Sequence, residues 1–133
     1  MFSNCPEISG NDFTMIMMSL TDNITNMNKM FLGCRKVDAI IRYDVFRHCP
    51  NVTSMTAFAA NSGLKGGIYS RDDNYSESDS TTWGTFDFIR NINSLTEAFA
   101  NSDLQFIDAD IFAPWKEGYV DTYFNIQDAD RMF

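Results

Sequence analysis

Residues 9–33 read Ser9-Gly10-Asn11-Asp12-Phe13-Thr14-Met15-Ile16-Met17-Met18-Ser19-Leu20-Thr21-Asp22-Asn23-Ile24-Thr25-Asn26-Met27-Asn28-Lys29-Met30-Phe31-Leu32-Gly33. Asn11 or Asp12 can accept the free N–H groups of a first helical turn. Phe13, Ile16, Met17, Leu20, Ile24, Met27 and Phe31 then recur at steps of three and four. That spacing predicts one amphipathic helix of about five turns. Gly33 suits the left-handed residue that follows a helix end. Five methionines lie in the stretch, and Met15, Met18 and Met30 fall outside the apolar stripe. Methionine is flexible and polarizable, which suits a core gap or an adaptable contact surface.

Further along, Val37, Ala39, Ile41, Tyr43 and Val45 alternate as a strand would, although the same segment also fits a helix. Cys49-Pro50-Asn51 ends it. Thr53 or Ser54 can cap a short helix through Ala60, and Asn61-Ser62-Gly63 stops it. Gly66-Gly67 and residues 71–82 are polar and turn-rich, so 71–82 reads as a solvated loop inside the domain. It joins strands expected near 67–70 and 83–90. Ser94-Leu95-Thr96-Glu97 has capping-box spacing and predicts a short helix to Asn101. This reading finds no internal repeat.

The sharpest pattern is Phe106-Ile107-Asp108-Ala109-Asp110-Ile111-Phe112, followed after six residues by Tyr119-Val120-Asp121-Thr122-Tyr123-Phe124-Asn125-Ile126. Alternation puts Ile107, Ala109 and Ile111 on one face of an antiparallel hairpin. Pairing Phe112 with Tyr119 keeps the faces apart. Asp108, Asp110, Tyr119, Asp121 and Tyr123 then share the outer face. Opposed like charges destabilise a sheet, so this face is water-screened, holds a cation, or meets a partner. Tyrosines beside acids favour a protein partner with a basic surface, and these five residues are the expected partner-binding set.

The expected fold is therefore α+β, with a long N-terminal helix and short helices packed on one face of a small, mainly antiparallel sheet. The 133 residues fit a single domain, 1–133. Net charge is −8, which argues against direct nucleic-acid binding and against an anionic membrane surface. No run of 18 apolar residues exists. The first residues carry no basic segment followed by an apolar one, so no signal peptide is expected and a cytoplasmic location is, in a host cell or a virion if the chain is viral. Three cysteines are too few and odd in number for a disulfide framework.

No catalytic constellation emerges. His48 and Cys49 are adjacent, and neighbours on an extended chain point to opposite faces. Zinc spacing, a P-loop, a dinucleotide-binding glycine motif and Gly-x-Ser-x-Gly are all missing. No cofactor is expected. The leading reading is a non-catalytic protein–protein interaction protein, a small structural or assembly subunit of a larger complex, a virus or phage particle included. Its partners would be a basic protein surface or copies of itself. Arg35, Lys36, Arg42 and Arg47 make a basic segment on an acidic body, which could favour head-to-tail packing unless Asp38 and Asp44 neutralise it. Two alternatives stay open. One is an acidic nucleic-acid mimic that blocks a basic nucleic-acid-binding protein. The other is a metal-dependent enzyme using Asp108, Asp110 and Asp121.

Overall fold

The computed structural model describes residues 1–42, 45–68, 86, 89, 91–107 and 130–133. Most of their backbone turns rather than coils or pleats. One pattern recurs: the N–H of residue i+3 donates to the carbonyl of residue i. It links Phe46 to Cys49, Cys49 to Val52, and Met55 to Phe58. It recurs from Phe86 to Ile89, Ile89 to Ile92, and Leu95 to Ala98. Each such turn brings every third side chain back to the same side. Phe46, Cys49, Val52, Met55 and Phe58 are all fully buried, as are Phe86, Ile89, Ile92, Leu95 and Ala98.

These runs stack in parallel as rungs. Met27, Lys29, Phe31 and Gly33 donate across to Ser54, Thr56, Phe58 and Ala60. Met55, Ala57, Ala59 and Asn61 donate onward to Ser94, Thr96, Ala98 and Ala100. Glu97 and Phe99 reach Asp130 and Met132, and at the other side Phe2 and Asn4 reach Met30 and Leu32. Alternate N–H groups thus go to the neighbouring rung, while those between them close turns within their own. Two isolated parallel bridges, Asn26 to Ser54 and Ser54 to Ser94, mark the same ladder. β1 (Gly66–Ile68) and β2 (Leu104–Ile107) extend two of the rungs as a parallel pair.

Repeat architecture follows from this stacking. Asn4, Gly33, Asn61 and Asn101 occupy one corner of successive rungs, all with positive φ. Lys29, Ala57, Glu97 and Arg131 occupy another, again all with positive φ. The first corner holds only Asn and Gly, the residues that tolerate this conformation best. Opposite charges also meet between rungs: Lys36 with Glu7 at 2.7 Å, and Arg131 with Glu97. Exposed pairs of this kind are worth about 0.5 kcal/mol each. The interior is a chain of rings. Phe31 meets Phe2, Phe13 and Phe58, Phe58 meets Phe46 and Phe99, and Phe46 stacks on Phe86.

The expected α+β fold is corrected on several points. The helix α1 spans only Gly10–Ser19. A capping box starts it, with Ser9 Oγ accepting from the Asp12 N–H and Asp12 Oδ2 accepting from the Ser9 N–H. Beyond Ser19 the apolar spacing persists, but it belongs to turns. Three-residue turns return side chains inward at a period close to that of a helix. Met30 is consequently buried, not outside. The expected helices at 53–60 and 94–101 are the same turn runs, and no strand forms over the described part of 37–46. Among the described residues the sheet is parallel, not antiparallel. Ile107, expected on an inner face, is 39% exposed. The rest of the terminal hairpin, 108–126, and the 71–82 loop lie outside the described residues.

The hydroxyls of the ladder give a prediction. Asn28 Oδ1 accepts from Ser54 Oγ and the Thr56 N–H, and Thr56 Oγ1 lies 2.9 Å from Ser94 Oγ. Thr96 Oγ1 is buried with no partner. Thr96→Val removes that orphan at equal volume and is expected to raise stability by about 1 kcal/mol. Asn101→Ala is expected to lose about 1 kcal/mol at its left-handed corner, with Asn101→Gly close to neutral. Urea unfolding of the three variants checks both.

Candidate functional site

The local sequence places α1 against the chain that follows the second rung. Gly10 begins the helix, and a side chain there would run into the Asp38 carbonyl. Only a glycine lets the helix start seat so closely on residues 38–39. With that end fixed, the helix lies beside residues 40–42 and 45–48, and a groove forms between them.

The groove encloses about 370 Å³, within the range of ligand-binding clefts. From α1 it is lined by Phe13, Thr14, Met17 and Met18, and from the facing chain by Ile40 and Val45. Phe13 and Met17 are buried and form the floor. Met18 and Ile40 stand at the lip, 64% and 52% exposed. Arg42, Arg47 and His48 complete the lining, and all three are exposed. The described lining contains no carboxylate.

Nearby carboxylates in the described structure are held elsewhere. Asp12 caps α1, and the hydrogen bonds from the Ser9 backbone and hydroxyl hold its carboxyl below the usual aspartate range. Glu7 pairs with Lys36. Asp38 lies 3.7 Å from Lys65. Arg47 and His48 enter no ion pair with a described residue.

His48 and Cys49 diverge. His48 opens onto the groove, while Cys49 is fully buried with its thiol donating to the Phe46 carbonyl at 3.4 Å. Burial pushes that thiol up to about 12. Cys34 is also raised, chiefly by burial, and its thiol donates to the Phe2 carbonyl at 3.0 Å. Such thiols hold little thiolate near neutral pH and make poor nucleophiles.

Asp108, Asp110, Tyr119, Asp121 and Tyr123, the expected partner-binding set, lie outside the described residues. The groove was missed because no short-range pattern brings residues 40–42 and 45–48 to α1. One component was visible: Met18, read as outside the apolar stripe, is 64% exposed at the lip. The basic segment was visible too, since Arg42 and Arg47 belong to it. Gly10 was the available signal for close approach, although it also reads as part of a helix start. Among the described residues no helix is long and apolar enough to cross a membrane. No known protein family, curated protein or solved structure matches the chain.

The thiol environments predict a graded reaction with a thiol reagent at pH 8. Cys5, only half-buried, is expected to react in the folded protein, and Cys34 and Cys49 only on unfolding. Because Cys49 keeps its proton in the folded state and loses it at an ordinary thiol pH when unfolded, its contribution to stability is complete below about pH 9 and declines as pH rises toward about 12. Urea midpoints of the wild type and Cys49→Ser across that range, compared for slope, check the sign.

Proposed function

We propose that the chain is a non-catalytic protein–protein interaction module, fit to serve as a small structural or assembly subunit of a larger complex. The observation that carries this reading is the apolar lip of the groove. Met18 and Ile40 are large, apolar and more than half exposed, beside a cavity with a buried apolar floor. Scattered single apolar residues on a surface are ordinary, but a cluster next to a cleft with cations around it is what a recognition surface offers.

The stacked rungs support the same reading. They hold side chains at fixed positions along a rigid body, and stacked-repeat proteins commonly use such bodies to present a binding surface. The buried thiols of Cys34 and Cys49, which burial holds in the protonated form, add nothing that points to nucleophilic chemistry. A second surface is proposed from sequence alone: Asp108, Asp110, Tyr119, Asp121 and Tyr123, facing a basic protein partner or the basic segment of another copy.

Selection of a random dodecapeptide display library on the immobilised chain tests the proposal. Enriched sequence families, displaced by the soluble chain and binding at micromolar concentrations, are expected. Recovery of nothing beyond the unselected library would overturn it. Binders abolished by combined Asp108→Lys, Asp110→Lys and Asp121→Lys substitution would belong to the acidic–tyrosine surface.

A further inference from the structure

We infer that the groove between α1 and residues 40–42 and 45–48 receives an acidic segment of a protein partner, which sets one bulky apolar side chain on Phe13 and Met17 and its carboxylates against Arg47 and His48. The inference rests on the interaction reading above and specifies the partner's chemistry.

Size and lining decide the apolar half. A floor of Phe13 and Met17 with Val45 beside it removes an apolar side chain from water at roughly 25 cal/mol for each Å² covered. Met17 and Met18 can adjust to the shape of what enters. The apolar surface does not stop at the cavity. Met18 and Ile40 carry it onto the lip, farther than a compact small molecule would cover, and an extended segment passing over the lip covers both.

Charge decides the other half. Arg47 and His48 stand on the groove with no described carboxylate paired to them, while Glu7, Asp12 and Asp38 are committed to Lys36, Ser9 and Lys65. The chain as a whole carries −8 and repels an acidic partner at long range. At physiological ionic strength that field is screened beyond about 8 Å, so the local cations govern a segment once it is in the groove. An arginine fork receives a carboxylate with two parallel hydrogen bonds. A basic segment would meet like charge at the rim and gain nothing there.

The dodecapeptide selection supplies the test. Its enriched sequences are expected to share one large apolar residue flanked by Asp or Glu. A fluorescent selected peptide, titrated by anisotropy, is expected to bind Ile40→Glu and Arg47→Glu at least about tenfold more weakly than the wild type, with Arg47→Lys recovering part of the loss. Both positions are exposed, and an unchanged thermal midpoint verifies that each variant is folded. Enriched peptides lacking acids, or binders indifferent to both folded variants, would overturn the groove while leaving the interaction reading in place. Decanoate saturating the groove while no acidic peptide does would also overturn it. An unenriched library would remove both.

Discussion

A single rung of this protein cannot satisfy its own backbone. Three-residue turns close only every other N–H within a rung: Met30 to Met27, Leu32 to Lys29, Cys34 to Phe31. The groups between them, from Met27, Lys29, Phe31 and Gly33, have partners only on the next rung. Leaving a buried N–H unpaired costs about 1–3 kcal/mol, so stacking is compulsory. Lys29, Ala57 and Glu97, whose N–H groups donate across to Thr56, Thr96 and Asp130, hold positive φ at one corner of successive rungs. The ring cluster, the rung-to-rung ion pairs and the position of α1 all follow from rungs held in register.

The groove inherits its rigidity from the same source. Val45 and Arg47 flank Phe46, whose ring packs on Phe58 and Phe86 inside the stack. On the other side Phe13 faces the groove and also touches Phe31 and Phe58. Both walls are therefore anchored to the interior by an aromatic side chain. A surface so held loses little freedom when something binds, which is where much of the cost of association arises.

How far sequence alone reaches here can be judged residue by residue. The start of α1 was legible only to within two or three residues: Asn11 or Asp12 was expected to cap it, whereas Ser9 is the N-cap and Asp12 closes the box from inside the helix, with Phe13 and Met17 facing inward. Past Ser19 the same periodicity misleads. Turns closing at i+3 and a helix at 3.6 residues per turn bury nearly the same positions over two or three cycles, so Ile24, Met27 and Phe31 fit either. Two features separate them. One is the Asn or Gly at 4, 33, 61 and 101, which read singly as ends of helices and jointly as one corner repeated. The other is the aligned pair Val52-Thr53-Ser54-Met55-Thr56-Ala57-Phe58 and Ile92-Asn93-Ser94-Leu95-Thr96-Glu97-Ala98. The corners are separated by unequal stretches of 29, 28 and 40 residues, which hides the repeat from any search for a fixed period. The meeting of α1 with residues 40–42 and 45–48 was not legible, because it depends on how one rung's exit lies against another's entry.

The unequal spacing has a bearing on how the molecule comes into being. A rung emerging during synthesis has half its amides waiting for a neighbour that is still some thirty or forty residues away from being made. Until then it is a run of loose bends with Phe31 or Phe58 open to water. Closure of each interval costs entropy that grows only slowly with its length, so the 40-residue interval is penalised little more than the 28-residue one. Length can thus accumulate between corners during evolution at small thermodynamic cost, while the corners themselves stay pinned.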